Sequence, residues 1–218
     1  MTDPTHGHGS DEFVLDTPRL RRFVEDVNGI RRSGADPRAI IDAIRPRFAE
    51  LLADETWLPA RYQEPAPESG MGSGIGTWLL YRAGNGGLAF SALVVPSGAQ
   101  TPVHDHLAWG LVGLYRGEQD EEVFRRRDAG GDDGPAELEL TERRALRPGD
   151  FYELLPENDI HRVRTTSAVT SVSLHLLGND NGCVWRHRFE PEAGRVSPFR
   201  SGYVNVPCTD GSAEGSGQ

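Results

Sequence analysis

Pro102-Val103-His104-Asp105-His106 places two imidazoles one residue apart, and Asn158-Asp159-Ile160-His161 supplies a third far downstream. Strand side chains alternate with a period of two, so on a strand His104 and His106 share one face. With His161 on a later strand they make a facial all-nitrogen set that leaves coordination positions of a metal open. Open positions distinguish a catalytic metal centre from a structural one, so a metalloenzyme is expected. Histidine nitrogens accept iron, manganese, nickel, copper and zinc, and the three residues by themselves leave that choice open. Asp105 falls on the opposite strand face and reads as a hydrogen-bond acceptor behind the site or as a turn stabiliser.

A second constellation is Ser171-Val172-Ser173-Leu174-His175-Leu176-Leu177. Alternation sets Ser171, Ser173, His175 and Leu177 on one face and Val172, Leu174 and Leu176 on the other. A polar face turned into a barrel lines a cavity, with His175 hydrogen-bonding near the metal and oriented by Ser173; the competing reading is a solvent-facing strand. His187, on the basic run Trp185-Arg186-His187-Arg188, reads as surface. Asp120-Glu121-Glu122 beside Arg125-Arg126-Arg127 reads as solvated charge. Trp78, Trp109 and Trp185 could stack on a ligand, but tryptophans in a barrel are more often core.

The elements that would position these groups are short apolar segments bounded by turn residues. They run Trp78–Tyr81, Leu88–Val95, Trp109–Tyr115, Glu121–Arg127, Ala136–Leu146, Asp150–Leu155, His161–Thr165, Thr170–Leu177 and Val184–Phe189. Gly84-Asn85-Gly86-Gly87, Pro96-Ser97-Gly98 and Arg116-Gly117 punctuate them, and Asp128–Pro135 reads as a flexible hairpin loop. Many short strands at regular spacing predict a mainly β sandwich or barrel, here a jelly roll. Two helices precede them. Thr17-Pro18 and Asp36-Pro37 each set a capping side chain before a proline at the first helical position. Leu20, Phe23, Val24, Val27 and Ile30, then Ile40, Ile41, Ile44, Phe48, Leu51 and Leu52, give each helix one apolar stripe to lay on the sheet. Pro46 should kink or split the second helix. Residues 1–12 and 207–218 read as disordered tails around a single domain at 13–206, helical over 13–60 and a β-barrel over 75–206.

The chain has 218 residues, 26 of them glycine and 15 proline, with 37% hydrophobic content and a net charge of −10. That turn-rich composition favours a β protein, and the negative charge excludes a general nucleic-acid or membrane-surface binder. Only two cysteines are present, Cys183 and Cys208. They allow one bridge, though two free thiols in a reducing cytoplasm is the preferred reading. No basic region followed by an apolar run marks a signal peptide, and no apolar stretch approaches a membrane span. A cytoplasmic location is expected.

The spacing of Gly98, His104 and His106, followed by Gly149, Pro156, Asn158 and His161, resembles the two motifs of the cupin superfamily. Together with Pro148-Gly149-Asp150, His161-Arg162-Val163 and Ser173-Leu174-His175-Leu176, it resembles the cysteine dioxygenase-like thiol dioxygenases within that superfamily. The resemblance spans Trp78 to Phe189. It implies a double-stranded β-helix, a mononuclear non-haem Fe(2+) held by His104, His106 and His161, and addition of O2 to a thiolate to give a sulfinic acid. The glutamate usual after the second histidine is replaced at Trp109 and Gly110. The resemblance gives Ser173 and His175 the first two places of a Ser-His-Tyr relay and makes Arg82, after Tyr81, the nearest candidate to grip a substrate carboxylate. The relay tyrosine is replaced by Leu177. The cysteine to which some members link it falls near Gly110, so no such crosslink forms.

Leu177 makes the pocket more apolar and turns the expected substrate from cysteine toward a related thiol such as 3-mercaptopropionate or ergothioneine. The expected partners are thus a small-molecule thiol and O2, with no nucleic acid and no membrane, for a monomer or homodimer. The alternatives are another metal-dependent cupin oxygenase or isomerase, or a non-catalytic ligand-binding cupin.

Overall fold

The computed structural model describes residues 9–208. Two helices lead, α1 (Pro18–Arg31) and α2 (Pro37–Ala53). The Thr17 hydroxyl accepts from the Leu20 N–H at 3.3 Å, and the Asp36 carboxylate accepts from Arg38 and Ala39 N–H at 3.0 and 3.1 Å. These bonds satisfy first-turn donors that no intrahelical carbonyl reaches. The apolar stripes of both helices are buried, with Ile30 at the end of α1 half-buried. Pro46 neither splits α2 nor falls on its buried stripe; it lies on the exposed face, where water can bond the carbonyl that the proline leaves unpaired.

Thirteen strands follow the chain as β1 (Glu12–Phe13), β2 (Gly76–Arg82), β3 (Ala89–Val95), β4 (Val103–His104), β5 (Gly110–Arg116), β6 (Gln119–Arg126), β7 (Gly134–Pro135), β8 (Leu138–Leu146), β9 (Phe151–Leu154), β10 (Ile160–Thr165), β11 (Ser171–Leu177), β12 (Arg186–Glu190) and β13 (Arg195–Phe199). They form two antiparallel sheets, in the orders β1-β2-β3-β11-β5-β9 and β7-β13-β12-β4-β10-β6-β8. This is the mainly β, two-sheet barrel expected, with the helices on the outer face of the first sheet. The faces of β11 and β3 sort as alternation requires. Val172, Leu174, Leu176, Phe90, Ala92 and Val94 join Phe23, Ile44 and Phe48 in one core cluster under the helices. The opposite face of β11, with Ser173 and His175, turns into the barrel.

Three expectations are corrected. Residues 9–12 do not belong to a disordered tail: Glu12 and Phe13 pair with Arg82 and Tyr81, and Asp11 accepts from the Gly84 N–H and the Tyr81 hydroxyl. The loop at 128–135 is held by Asp128, which accepts from Arg126, Gly130 and Glu137, and its end forms β7 against β13. The two cysteines are not free thiols but a disulfide, Cys183–Cys208. The chain returns along the edge of β2 after β13, and that return brings Cys208 back beside the loop that follows β11. Residues 1–8 and 209–218, where the rest of the tails was expected, lie outside the described residues. Among the described residues, no helix is long and apolar enough to cross a membrane.

Candidate metal centre

His104 and His161 are direct cross-strand partners in the β4–β10 ladder. That pairing brings their side chains together on the barrel face of the second sheet. His106 is placed differently. β4 ends at His104, so strand alternation does not position the next histidine. Asp159 does so instead: its Oδ1 accepts from the His106 backbone N–H at 2.9 Å and its Oδ2 from Leu107 at 2.8 Å. Asn179 and Asn181 donate to the His106 carbonyl at 3.0 and 2.9 Å. The turn drives Leu107 into the left-handed region at φ 52, a conformation that these bonds must hold. The result is three buried imidazoles whose candidate ligand atoms lie within 4.8 Å of one another.

Each ring also has its Nδ1 engaged. His104 Nδ1 meets the Pro102 carbonyl at 2.9 Å, His106 Nδ1 meets Asp159 at 3.1 Å, and His161 Nδ1 meets Glu121 at 2.5 Å. Carbonyls and carboxylates only accept, so the ring proton sits on Nδ1 and each Nε2 keeps its lone pair for a metal. Burial, reinforced by the neighbouring histidines and Arg186, holds His104 and His106 well below the usual histidine range. They are neutral, as ligation requires. Burial pushes the Glu121 carboxyl up, but the bonds from His161 and Tyr152 and the Arg144 charge more than offset it and leave the group anionic. Buried Asp159 is raised by desolvation against the pull of the Leu107 and His106 N–H groups. The donor set therefore fits a divalent ion backed by two carboxylates.

His104, His106 and His175 share a cavity with Leu177, Arg186 and Ser201. The cavity is narrow. Ser173 Oγ and His175 Nε2 share a hydrogen bond of 3.0 Å. Burial first, with the neighbouring His161 and Arg186 adding to it, pushes the His175 imidazole down to about 3, so it is neutral. Leu177 is buried with Val112 and Leu154, and it seals the position where a tyrosine was sought. A Cβ on Gly110 would lie 2.2 Å from the Leu176 carbonyl, so no cysteine or any other side chain fits there.

The structure separates Tyr81 and Arg82 from this cavity. Thr77 and Leu79 pair with Leu93 and Ser91, the barrel-facing residues of β3, and then a bulge at Leu80 shifts the register. Past the bulge Tyr81 pairs with Phe90 and turns into the core beneath the helices, where its hydroxyl meets Asp11 at 2.7 Å and Asn28 at 3.3 Å. Arg82 bonds Glu12 at 2.7 Å and Asp180 at 3.5 Å. It does not line the cavity. His187 is engaged by Asp105 at 2.5 Å, with Asp132 at 3.2 Å on its other nitrogen, which makes Asp105 a brace for the turn through His106. Trp78 donates to Glu64, Trp109 packs against the helix-side core, and Trp185 is exposed beneath Arg200. None lines the cavity.

Glu121, Asp159 and Arg186 join the site only in the folded structure. Glu121 lay hidden in an acidic run, yet alternation along β6 puts it with buried Gln119 and Val123, apart from Asp120 and Glu122. Asp159 precedes His161 by two residues, a spacing that shares a strand face. Arg186 stands in the basic run beside His187, yet it is buried. Its guanidinium donates to the Asp105 carbonyl at 2.7 Å, the Ser201 hydroxyl at 3.0 Å and the Asn181 carbonyl at 3.4 Å. All three partners are uncharged acceptors. Burial pushes its pKa down to about 10, so it remains a cation inside the barrel.

No family model matches the chain. In solved structures, peruvianin-I, a cysteine peptidase from Thevetia peruviana latex, is 19% identical at a TM-score of 0.42, over 59% of this chain and 75% of that one. An oxalate oxidase bound to the substrate analogue glycolate is 15% identical at 0.42, over 59% and 61%. The cupin domain of Schizosaccharomyces pombe Cnp3 is 11% identical at 0.37, over 49% and 61%. The chain thus spans less than two thirds of the latter two. None of these likenesses assigns an activity to this chain.

Proposed function

We propose that this protein is an iron-dependent thiol dioxygenase acting on a small thiol that also carries a carboxylate. The observation that carries the reading is the joint lining of one cavity: His104 and His106 of the three-histidine cluster, His175 with its hydrogen bond to Ser173, and the buried Arg186 cation. His104, His106 and His161 would hold the metal. Bound Fe(2+) would supply open coordination positions and activate O2 for addition to a thiolate sulfur, which itself gives up the four electrons as it becomes a sulfinic acid.

The chain's own groups prepare that reaction. Arg186 can present a planar fork to the substrate carboxylate, and its burial strengthens the attraction. Neutral His175, oriented by Ser173, offers a hydrogen bond without adding charge beside the metal. Leu177 and the narrow cavity exclude water from the reacting sulfur. Substrates such as 3-mercaptopropionate and ergothioneine both carry the required carboxylate. The protein is read as a cytoplasmic monomer or homodimer with no nucleic-acid or membrane partner. A thiol-rich cytoplasm would expose Cys183–Cys208 to exchange.

The test is a thiol panel on iron-reconstituted protein, following oxygen uptake and sulfinate. It spans 3-mercaptopropionate, cysteine, ergothioneine and cysteamine, with His161→Ala as control. One O2 consumed per sulfinate, with cysteamine the poorest substrate for want of a carboxylate, is expected. No sulfinate from any thiol would refute the activity.

A further inference from the structure

Beyond β13 the chain does not leave the barrel. Residues 200–208 run back along the edge of β2 and close one side of the cavity. The Ser201 carbonyl accepts from Gly70 N–H at 3.1 Å, Gly202 donates to the Gly182 carbonyl at 2.8 Å, and Val204 donates to Thr77 at 2.9 Å. The Asn205 amide pairs with both backbone groups of Leu79 at 2.9 Å, completing the edge next to the Leu80 bulge. Tyr203 packs so tightly on Gly182 that a Cβ there would lie 2.4 Å from its Cζ, and its hydroxyl joins Gly182 N–H to Asp180. Arg82, through Asp180 and the Pro207 carbonyl at 3.5 Å, braces the same strap. Ser201 lines the cavity and accepts from Arg186 Nη2 at 3.0 Å. The far end of the strap is joined covalently to the loop beside Gly182 by Cys183–Cys208.

We propose that Ser201 is the positioning residue for Arg186 and that the Cys183–Cys208 disulfide is the fastening that holds Ser201 in place, so that carboxylate recognition in the cavity depends on the redox state of that bond. The carboxylate part rests on the thiol-acid reading above; the hold on Arg186 does not. The opening step is thiol–disulfide exchange. A small-molecule thiolate attacks one protein sulfur, forms a mixed disulfide and releases the other as a thiolate. A second thiolate then attacks the mixed disulfide, leaving two protein thiols and one oxidised small-molecule disulfide. The electrons come from the two small thiols. Opening removes the covalent cross-link on the strap, whose remaining hydrogen bonds are individually weak.

The experiment follows solvent exchange of the Gly202 amide and the Arg186 Nε–H by nuclear magnetic resonance in full-length protein, before and after reduction with a phosphine. Cys208→Ser breaks the same bond without a reductant. Reduction is expected to speed both exchanges by about tenfold or more, and Ser201→Ala to speed that of Arg186 with Gly202 little changed. In iron-loaded protein, reduction and Ser201→Ala should raise KM for 3-mercaptopropionate by about tenfold while kcat stays within about twofold, with Ser201→Thr restoring it. Unchanged exchange at either position, an unchanged KM, or free thiols at Cys183 and Cys208 in protein purified without reductant would each overturn the proposal. If Cys208→Ser does not fold, chemical reduction of the native chain gives the result. If no thiol turns over at all, the thiol reading fails, and the exchange measurements alone uphold or overturn the hold of the strap on Arg186.

Discussion

Glu121 Oε1 lies 2.5 Å from Nδ1 of His161, with both side chains buried and the Arg144 guanidinium 3.2 Å from the other carboxylate oxygen. The carboxylate fixes the ring's tautomer and orientation and makes Nε2 a better donor. Glu121→Gln preserves the shape but removes the charge, and it should weaken divalent-metal binding about 10–100-fold without unfolding the protein. Cobalt(II) titration against a competing chelator measures this, with His161→Ala as the variant that loses the site. An affinity equal to wild type would show that Glu121 does not support the ligand.

Arg186→Lys keeps a positive charge and loses the planar fork. KM for thiols bearing a carboxylate should rise by about 10–100-fold, while that for cysteamine changes little. Steady-state kinetics on both substrates separate the outcomes. Equal effects on the two would mean that Arg186 serves the fold and not the carboxylate.

Leu177→Ala should enlarge this narrow cavity. Turnover of the bulky thioimidazole relative to 3-mercaptopropionate is expected to rise, at a stability cost of about 2–5 kcal/mol. Competition assays and urea denaturation check the two parts. A ratio that stays fixed would remove Leu177 from the determinants of substrate size.

The metal-free protein should lose stability in acid through its histidines. His175, pushed down to about 3 by burial, binds a proton far more readily when unfolded, near its ordinary value of 6.5. Stability attributable to it is therefore full above about pH 6.5 and falls as pH drops toward 3, by about 1.4 kcal/mol per unit. Urea denaturation at pH 7 and pH 5 should differ by about 2 kcal/mol from His175 alone, with His104 and His106 adding to the difference. His175→Gln should flatten the pH dependence, and an equally steep profile in that variant would contradict the assignment.

Much of the barrel was legible because β11 and β3 are each buried on both sides by chemically different surroundings. Val172, Leu174 and Leu176 had to meet the helices, which left Ser173 and His175 for the interior. The strands illegible in the sequence are those with little periodicity, β1, β4, β7 and β13, the last carrying Pro198 on the edge side of its pairing with His187. Glu121 was illegible for a related reason. A carboxylate in an acidic run looks solvated until the pairing of β6 with β10 carries it under His161.

The sequence by itself determined the three histidines, the Ser173–His175 pair and the strands and helices that carry them, because side-chain period and turn chemistry are local properties. Tertiary structure alone decided that a bulge at Leu80 turns Tyr81 away from the cavity and that Arg82 braces a strap. It alone brought Arg186 to the cavity and closed Cys183 onto Cys208. Those outcomes depend on register and on where a distant segment returns, and neither is written in the spacing of the residues concerned.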